Sequence, residues 1–88
     1  MSREPTALEY EVLLDLSARR DPWKRKDRGL RPLPARTISG AIGRLQRNGF
    51  IFLDAYGEHD NAGYAGWVPT EEARDLIRQR SAKATEKA

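Results

Sequence analysis

Along the chain, apolar residues change their spacing several times, and each change marks a different element. Leu8, Val12 and Leu16 recur at i, i+4 and i+8, the period of a helix with one buried side. Thr6 stands three residues before Glu9, the spacing of a capping box, so the helix is expected to start there and run to about Ser17. Tyr10, Leu13 and Leu14 fall elsewhere on the same cylinder, making it apolar on more than one side. Two readings of that surplus stay open: burial between the rest of the domain and a C-terminal helix, or a homodimer seam.

From Arg19 to Pro34 the periodicity is lost, and Pro22, Gly29, Pro32 and Pro34 punctuate the segment. A short helix could begin at Pro22 with Asp21 as its cap and stop at Gly29. Trp23 would then pack inward, while Lys24, Arg25 and Lys26 stay in water. Pro34–Asn48 has a much stronger pattern. On a wheel advancing about 100° per residue, Ala41, Ile42 and Leu45 lie within about 60° of Ile38. Arg36, Gly40, Gly43, Arg44 and Arg47 fall on the opposite face, and Asn48-Gly49 provides a helix stop.

Phe50–Leu53 is rich in strand formers, Gly57–Gly63 reads as a turn, and Tyr64–Val68 reads as a returning antiparallel strand that Pro69 ends. Thr70 is placed to cap a last helix, with Glu71 and Glu72 at its positive end and Ala73, Leu76 and Ile77 as an inward stripe. Beyond Arg80 no apolar pattern remains. The expected organisation is a leader at 1–5, one folded domain at 6–80 and a frayed tail at 81–88. The expected fold class is α+β, mostly α, with three to four helices and a two- or three-stranded β-hairpin.

Composition narrows the chemistry. The chain has 88 residues, of which 39% are hydrophobic, enough for a single modest core. It has no cysteine and one histidine, His59, which excludes disulfides, thiolate metal sites and His-rich metal sites. No apolar run approaches the ~18–20 residues of a membrane span and no secretory signal opens the chain, so a cytoplasmic location, away from membranes, is expected. The net charge is only +3, but Arg19–Arg47 holds ten Lys/Arg against Asp21 and Asp27, whereas Phe50–Thr70 holds Asp54, Glu58 and Asp60 with no Lys or Arg. A basic middle suits a polyanion such as nucleic acid; the alternative is a solvated loop with scattered charge.

The run Thr37-Ile-Ser-Gly-Ala-Ile-Gly-Arg-Leu-Gln-Arg-Asn-Gly-Phe-Ile51 resembles the recognition helix and following strand of MarR- and PadR-type regulators. Trp67-Val-Pro-Thr-Glu-Glu-Ala-Arg-Asp-Leu-Ile77 is similar to the exit from their wing, and Pro5–Leu14 to their first winged-domain helix. The three pieces stand in the family's order across about seventy residues and imply a winged helix-turn-helix. The sequence departs from the family at Gly29-Leu-Arg-Pro-Leu-Pro34, where a second helix usually ends in a Leu-Ala pair. It departs again at Gly57–Gly63, acidic or neutral where the wing is usually basic, and it lacks the helices that dimerise full MarR proteins.

The resemblance implies that the helix 34–48 lies in the major groove of double-stranded DNA, its N-terminal residues nearest the base edges. Arg36, Thr37, Ser39, Gly40 and Arg44 are then candidates for base contact. Lys24, Arg25, Lys26, Arg28, Arg31, Gly43 and Arg47 are candidates for phosphate contact. Side-chain loss at Gly40 and Gly43 would bring the backbone close to the nucleic acid, although simple tolerance, or the close approach of another protein helix, explains it as well. Glu9, Glu11 and Asp15 have no nucleophile or histidine beside them and read as surface charge, and no cofactor or catalytic motif is present.

Two functions compete. One is a small sequence-specific transcriptional regulator of bacterial, phage or archaeal type, possible as a homodimer. The other is a winged-helix protein-interaction module, an anti-repressor, polymerase-binding factor or assembly adaptor, whose acidic wing meets a protein partner. RNA binding is the weaker third, for want of an exposed aromatic platform.

Overall fold

The computed structural model describes residues 4–54 and 66–87, the side chains as far as 82. The turn Gly57–Gly63 and the start of the returning strand at Tyr64, for which the sequence sets expectations, lie outside the described residues. The described elements are α1 (Ala7–Ser17), a 3-10 helix (Pro22–Arg28), α2 (Ala35–Arg47), β1 (Ile51–Leu53), β2 (Trp67–Pro69) and α3 (Glu71–Lys87). This is a small, mostly helical α+β fold with one two-stranded antiparallel sheet. Its element order is compatible with a winged-helix-like layout.

Thr6 caps α1 as expected, its hydroxyl accepting the Glu9 N–H at 3.2 Å and donating to Glu9 Oε2 at 3.0 Å. The buried arc differs from the anticipated one. Val12, Leu13 and Leu16 are buried, while Leu8 and Leu14 are 44% and 39% exposed. At about 100° per residue, Glu9 and Asp15 both fall within about 60° of Val12, inside or beside this arc, and Leu14 lies far round the cylinder. Both acids are buried, correcting the expectation that they are surface charge. Pro5, placed in the leader by its sequence, is buried too.

The 3-10 helix starts and stops where the punctuation indicates. Asp21 caps it by accepting the Trp23 N–H at 2.9 Å. Gly29 ends it at φ 72, and the Leu30 N–H donates to the Arg25 carbonyl at 3.1 Å. Trp23, expected inside, is 43% exposed. The inward position is taken by Pro22 and Arg25, for which the pairing of Arg25 with α1 gives the physical reason.

In α2 the anticipated stripe Ile38, Ala41, Ile42 and Leu45 is buried. The helix begins one residue after Pro34, which serves as its N-cap. At its end Gly49 adopts φ 80, the Gly49 N–H donates to Gln46 O at 3.1 Å and the Phe50 N–H to Leu45 O at 2.9 Å. That left-handed reversal turns the chain directly into β1. Ile51, Phe52 and Leu53 pair with Pro69, Val68 and Trp67. Pro69, placed after the strand by its sequence, is the last residue of β2.

Thr70 joins three elements. Its hydroxyl accepts the Ala73 N–H at 3.3 Å, capping α3, and donates to Gly49 O at 2.7 Å, while its N–H donates to Phe50 O at 2.9 Å. The helix it opens runs to Lys87, past the expected end at Arg80. Residues of α1, α2, β1 and α3 share one core of Val12, Leu13, Leu16, Ile38, Ala41, Ile42, Leu45, Phe50, Ile51 and Ala73. Tyr10, Leu33, Trp67, Leu76 and Ile77 pack against it, so α3 covers α1 in part; of the surplus apolar residues Leu13 is buried and Tyr10 half-buried, while Leu14 stays exposed.

Candidate nucleic-acid interface

Burying one stripe of α2 forces its other side outward, and the sequence puts no acid there. Taking Ile38 as the origin, Arg36, Gly40, Gly43 and Arg47 all lie within about 40° of the opposite pole. Arg36, Ser39 and Arg47 are exposed, and Thr37, Gly40 and Gly43 are partly so. A Cβ built at Gly43 meets nothing within 4 Å, and one at Gly40 meets only the Arg44 guanidinium, at 3.4 Å. The middle of this face is therefore bare backbone at Gly43 and backbone beneath the Arg44 guanidinium at Gly40, with Arg36 and Arg47 at its ends. Pro34 offers no side-chain cap, so the first backbone amides of α2 are not claimed by a side chain.

Arg44 is set differently. It lies on the flank of α2, about 60° from the pole, and turns toward α1. Its Nε donates to Glu9 Oε2 at 2.9 Å. Glu9 is 3% exposed, whereas the Arg44 side chain keeps 49% of its surface.

The basic segment before α2 divides in two. Lys24, Lys26 and Arg31 are exposed and form no ion pair among the described residues. Arg25 is turned inward, 4% exposed, correcting the expectation that it stays in water for phosphate contact. Its two Nη groups are bonded to Asp15 and Glu11, and its Nε donates to Arg31 O at 3.0 Å, so every edge of the guanidinium is occupied. Arg28 is partly buried. Its Nη1 donates to Asp21 O at 2.9 Å and its Nη2 lies 3.2 Å from Asp15 Oδ1. These two arginines fasten the 3-10 helix to α1 and are poorly placed as phosphate donors.

Sequence reasoning missed the acids that hold these arginines. One signal could have found them, and it was angular: Glu9 and Asp15 fall beside the buried arc of α1, where a carboxylate needs a cation. Their partners had no such signal, since Asp15–Arg25 and Glu9–Arg44 join separate elements at spacings no local rule connects.

Among the described residues, no group of His, Cys, Asp or Glu is arranged to hold a metal ion, and no helix is long and apolar enough to cross a membrane. An open depression of about 420 Å³ on α3 is lined by Glu71, Arg74 and Arg78. Comparison with protein-family models, with curated proteins and with solved structures found no match for this chain.

Proposed function

We propose that this chain is a sequence-specific double-stranded DNA-binding protein of winged helix-turn-helix type, a small transcriptional regulator that inserts α2 into the major groove. One observation carries the reading: the outward pole of α2 holds Arg36 and Arg47, exposed and without a counter-ion among the described residues, on either side of Gly43, which is bare backbone, and Gly40, which only the Arg44 guanidinium overlies. A merely solvated helix face ordinarily mixes charge signs, and glycine inside a helix costs about 1 kcal/mol relative to alanine. Close approach to a polyanion accounts for both features.

The order of elements agrees with this reading, with the 3-10 helix standing where the second helix of a winged helix would be. Arg36, Thr37, Ser39 and Gly40 occupy the first turns of α2, nearest the base edges in such a docking. The uncapped amides of that end suit a phosphate oxygen, and exposed Lys24, Lys26 and Arg31 add positive charge in the segment that precedes it.

A second reading, docking to another protein, is favoured by Phe52 and Leu53, 43% and 52% exposed on β1. Selection of bound duplexes from a random pool separates the two. DNA reading by α2 predicts enrichment of a short motif, and of an inverted repeat if two copies bind together. A pool that stays random after repeated rounds rejects sequence-specific binding and leaves the protein-docking reading.

A further inference from the structure

The strongest unexplained arrangement in the molecule is the pairing of Arg44 with a buried acid at the edge of the candidate interface. We propose that Glu9 is a positioning residue that makes Arg44 an oriented but charge-compensated donor, so that Arg44 contributes to base discrimination and little to general attraction for DNA. The inference rests on the DNA-binding reading of α2.

Three contacts build the device. Glu9 sits in the first turn of α1, 3% exposed, and its Oε2 accepts the Thr6 hydroxyl at 3.0 Å. The same oxygen accepts Arg44 Nε at 2.9 Å, so the carboxylate is fixed by its own helix cap before it holds the arginine. The guanidinium then lies over Gly40, whose missing Cβ would stand 3.4 Å from Nη1 and 3.7 Å from Nη2. Only the Nε side is engaged. The outer edge, Nη1 with Nη2, has no acceptor among the described residues, and half of the side chain is in solvent.

That outer edge is a planar pair of donors of the kind that bonds guanine O6 and N7. Holding Nε fixes the plane of the fork and restricts the rotation that an unpaired arginine keeps. The buried carboxylate also cancels the charge at short range. A phosphate attracts the Glu9–Arg44 pair much less than it attracts Arg36 or Arg47, and counter-ion release depends on net cations brought to phosphates. Orientation and attraction are thereby separated between residues of one helix.

The test is duplex binding by Glu9→Gln in the full chain, with the salt concentration varied on a selected and on a random duplex. The amide oxygen of Gln can still accept from Thr6 and Arg44, so the substitution removes charge while keeping the acceptor. Freed of its counter-ion, Arg44 should add about 0.9 to the magnitude of the log–log salt slope, so raising salt from about 50 to 200 mM weakens Glu9→Gln about three- to fourfold more than wild type. Its preference for the selected duplex over the random one should fall.

The double variant Glu9→Gln/Arg44→Gln leaves no unpaired buried charge and guards against loss of folding. It should keep the wild-type slope and lose the preference. A Glu9→Gln slope equal to wild type, or a double variant with undiminished preference, overturns the positioning role while DNA binding itself stands. Absence of wild-type binding to any duplex at low salt overturns the DNA reading, and this inference with it.

Discussion

Arg19 occupies a backbone conformation that glycine normally takes. It comes directly after the α1 cap residue Ala18, at φ 58, with the Arg19 N–H donating to Leu16 O at 3.1 Å and the Arg20 N–H to Asp15 O at 2.8 Å. The same reversal ends α2, where Gly49 fills the left-handed position. An L-residue there costs roughly 1–2 kcal/mol, offset in part by the greater entropy that glycine loses on folding. Arg19→Gly should therefore stabilise the chain by about 1 kcal/mol, raising Tm by roughly 4–8 °C for a domain of this size. Thermal unfolding followed by circular dichroism reads this directly, and a lowered Tm would mean that the Arg19 side chain makes a contribution larger than the strain it carries. None of this is visible in the sequence, where Ala18-Arg19-Arg20 has no turn signal and the reversal is imposed by the packing of the 3-10 helix back onto α1.

At the scale of elements, the decisive feature is how the 3-10 helix is held. It has little apolar surface to bury, with Trp23 exposed and Pro22 inside. Arg25 fills the gap, bonded to Asp15 and Glu11 on α1 and to the Arg31 carbonyl beyond the turn. Buried ion pairs contribute little net stability, because desolvation offsets attraction, but removing one partner leaves an uncompensated charge inside. Arg25→Ala should thus cost about 3–5 kcal/mol, measured by urea denaturation. A loss below about 1 kcal/mol would show that the pair is effectively solvated.

The elements themselves were mostly legible. The stripe of α2, the caps Thr6, Asp21 and Thr70, and the stops at Gly29 and Gly49 obey short-range rules that depend on neighbouring residues only. The buried arc of α1 was misplaced because Leu8, Val12, Leu13, Leu14 and Leu16 offer more than one self-consistent arc, and packing against α2, β2 and α3 selects among them. The inward turn of Arg25 was illegible for a related reason: Lys24, Arg25 and Lys26 are chemically alike, and the backbone at Lys24 (φ −106, ψ 23) decides which one faces α1.

For the whole molecule, the folded charge distribution differs from the one written along the chain. Of the ten Lys/Arg between Arg19 and Arg47, Arg25, Arg28 and Arg44 are tied to acids of α1. The exposed cations left are Arg19, Arg20, Lys24, Lys26, Arg31, Arg36 and Arg47. The positive surface is thus smaller than composition implies, and more sharply divided between residues that attract and residues that are held in place. Arg36 and Arg47 are its exposed cations on α2. The most direct measurement is the salt dependence of duplex binding by wild type and by Arg36→Ala/Arg47→Ala, with thermal unfolding as the check on folding. Docking of α2 on DNA predicts wild-type binding that weakens steeply between about 50 and 200 mM salt, and a double variant that folds as well but whose log–log slope is shallower by about two. An unchanged slope, or no wild-type binding at the lowest salt, would contradict it.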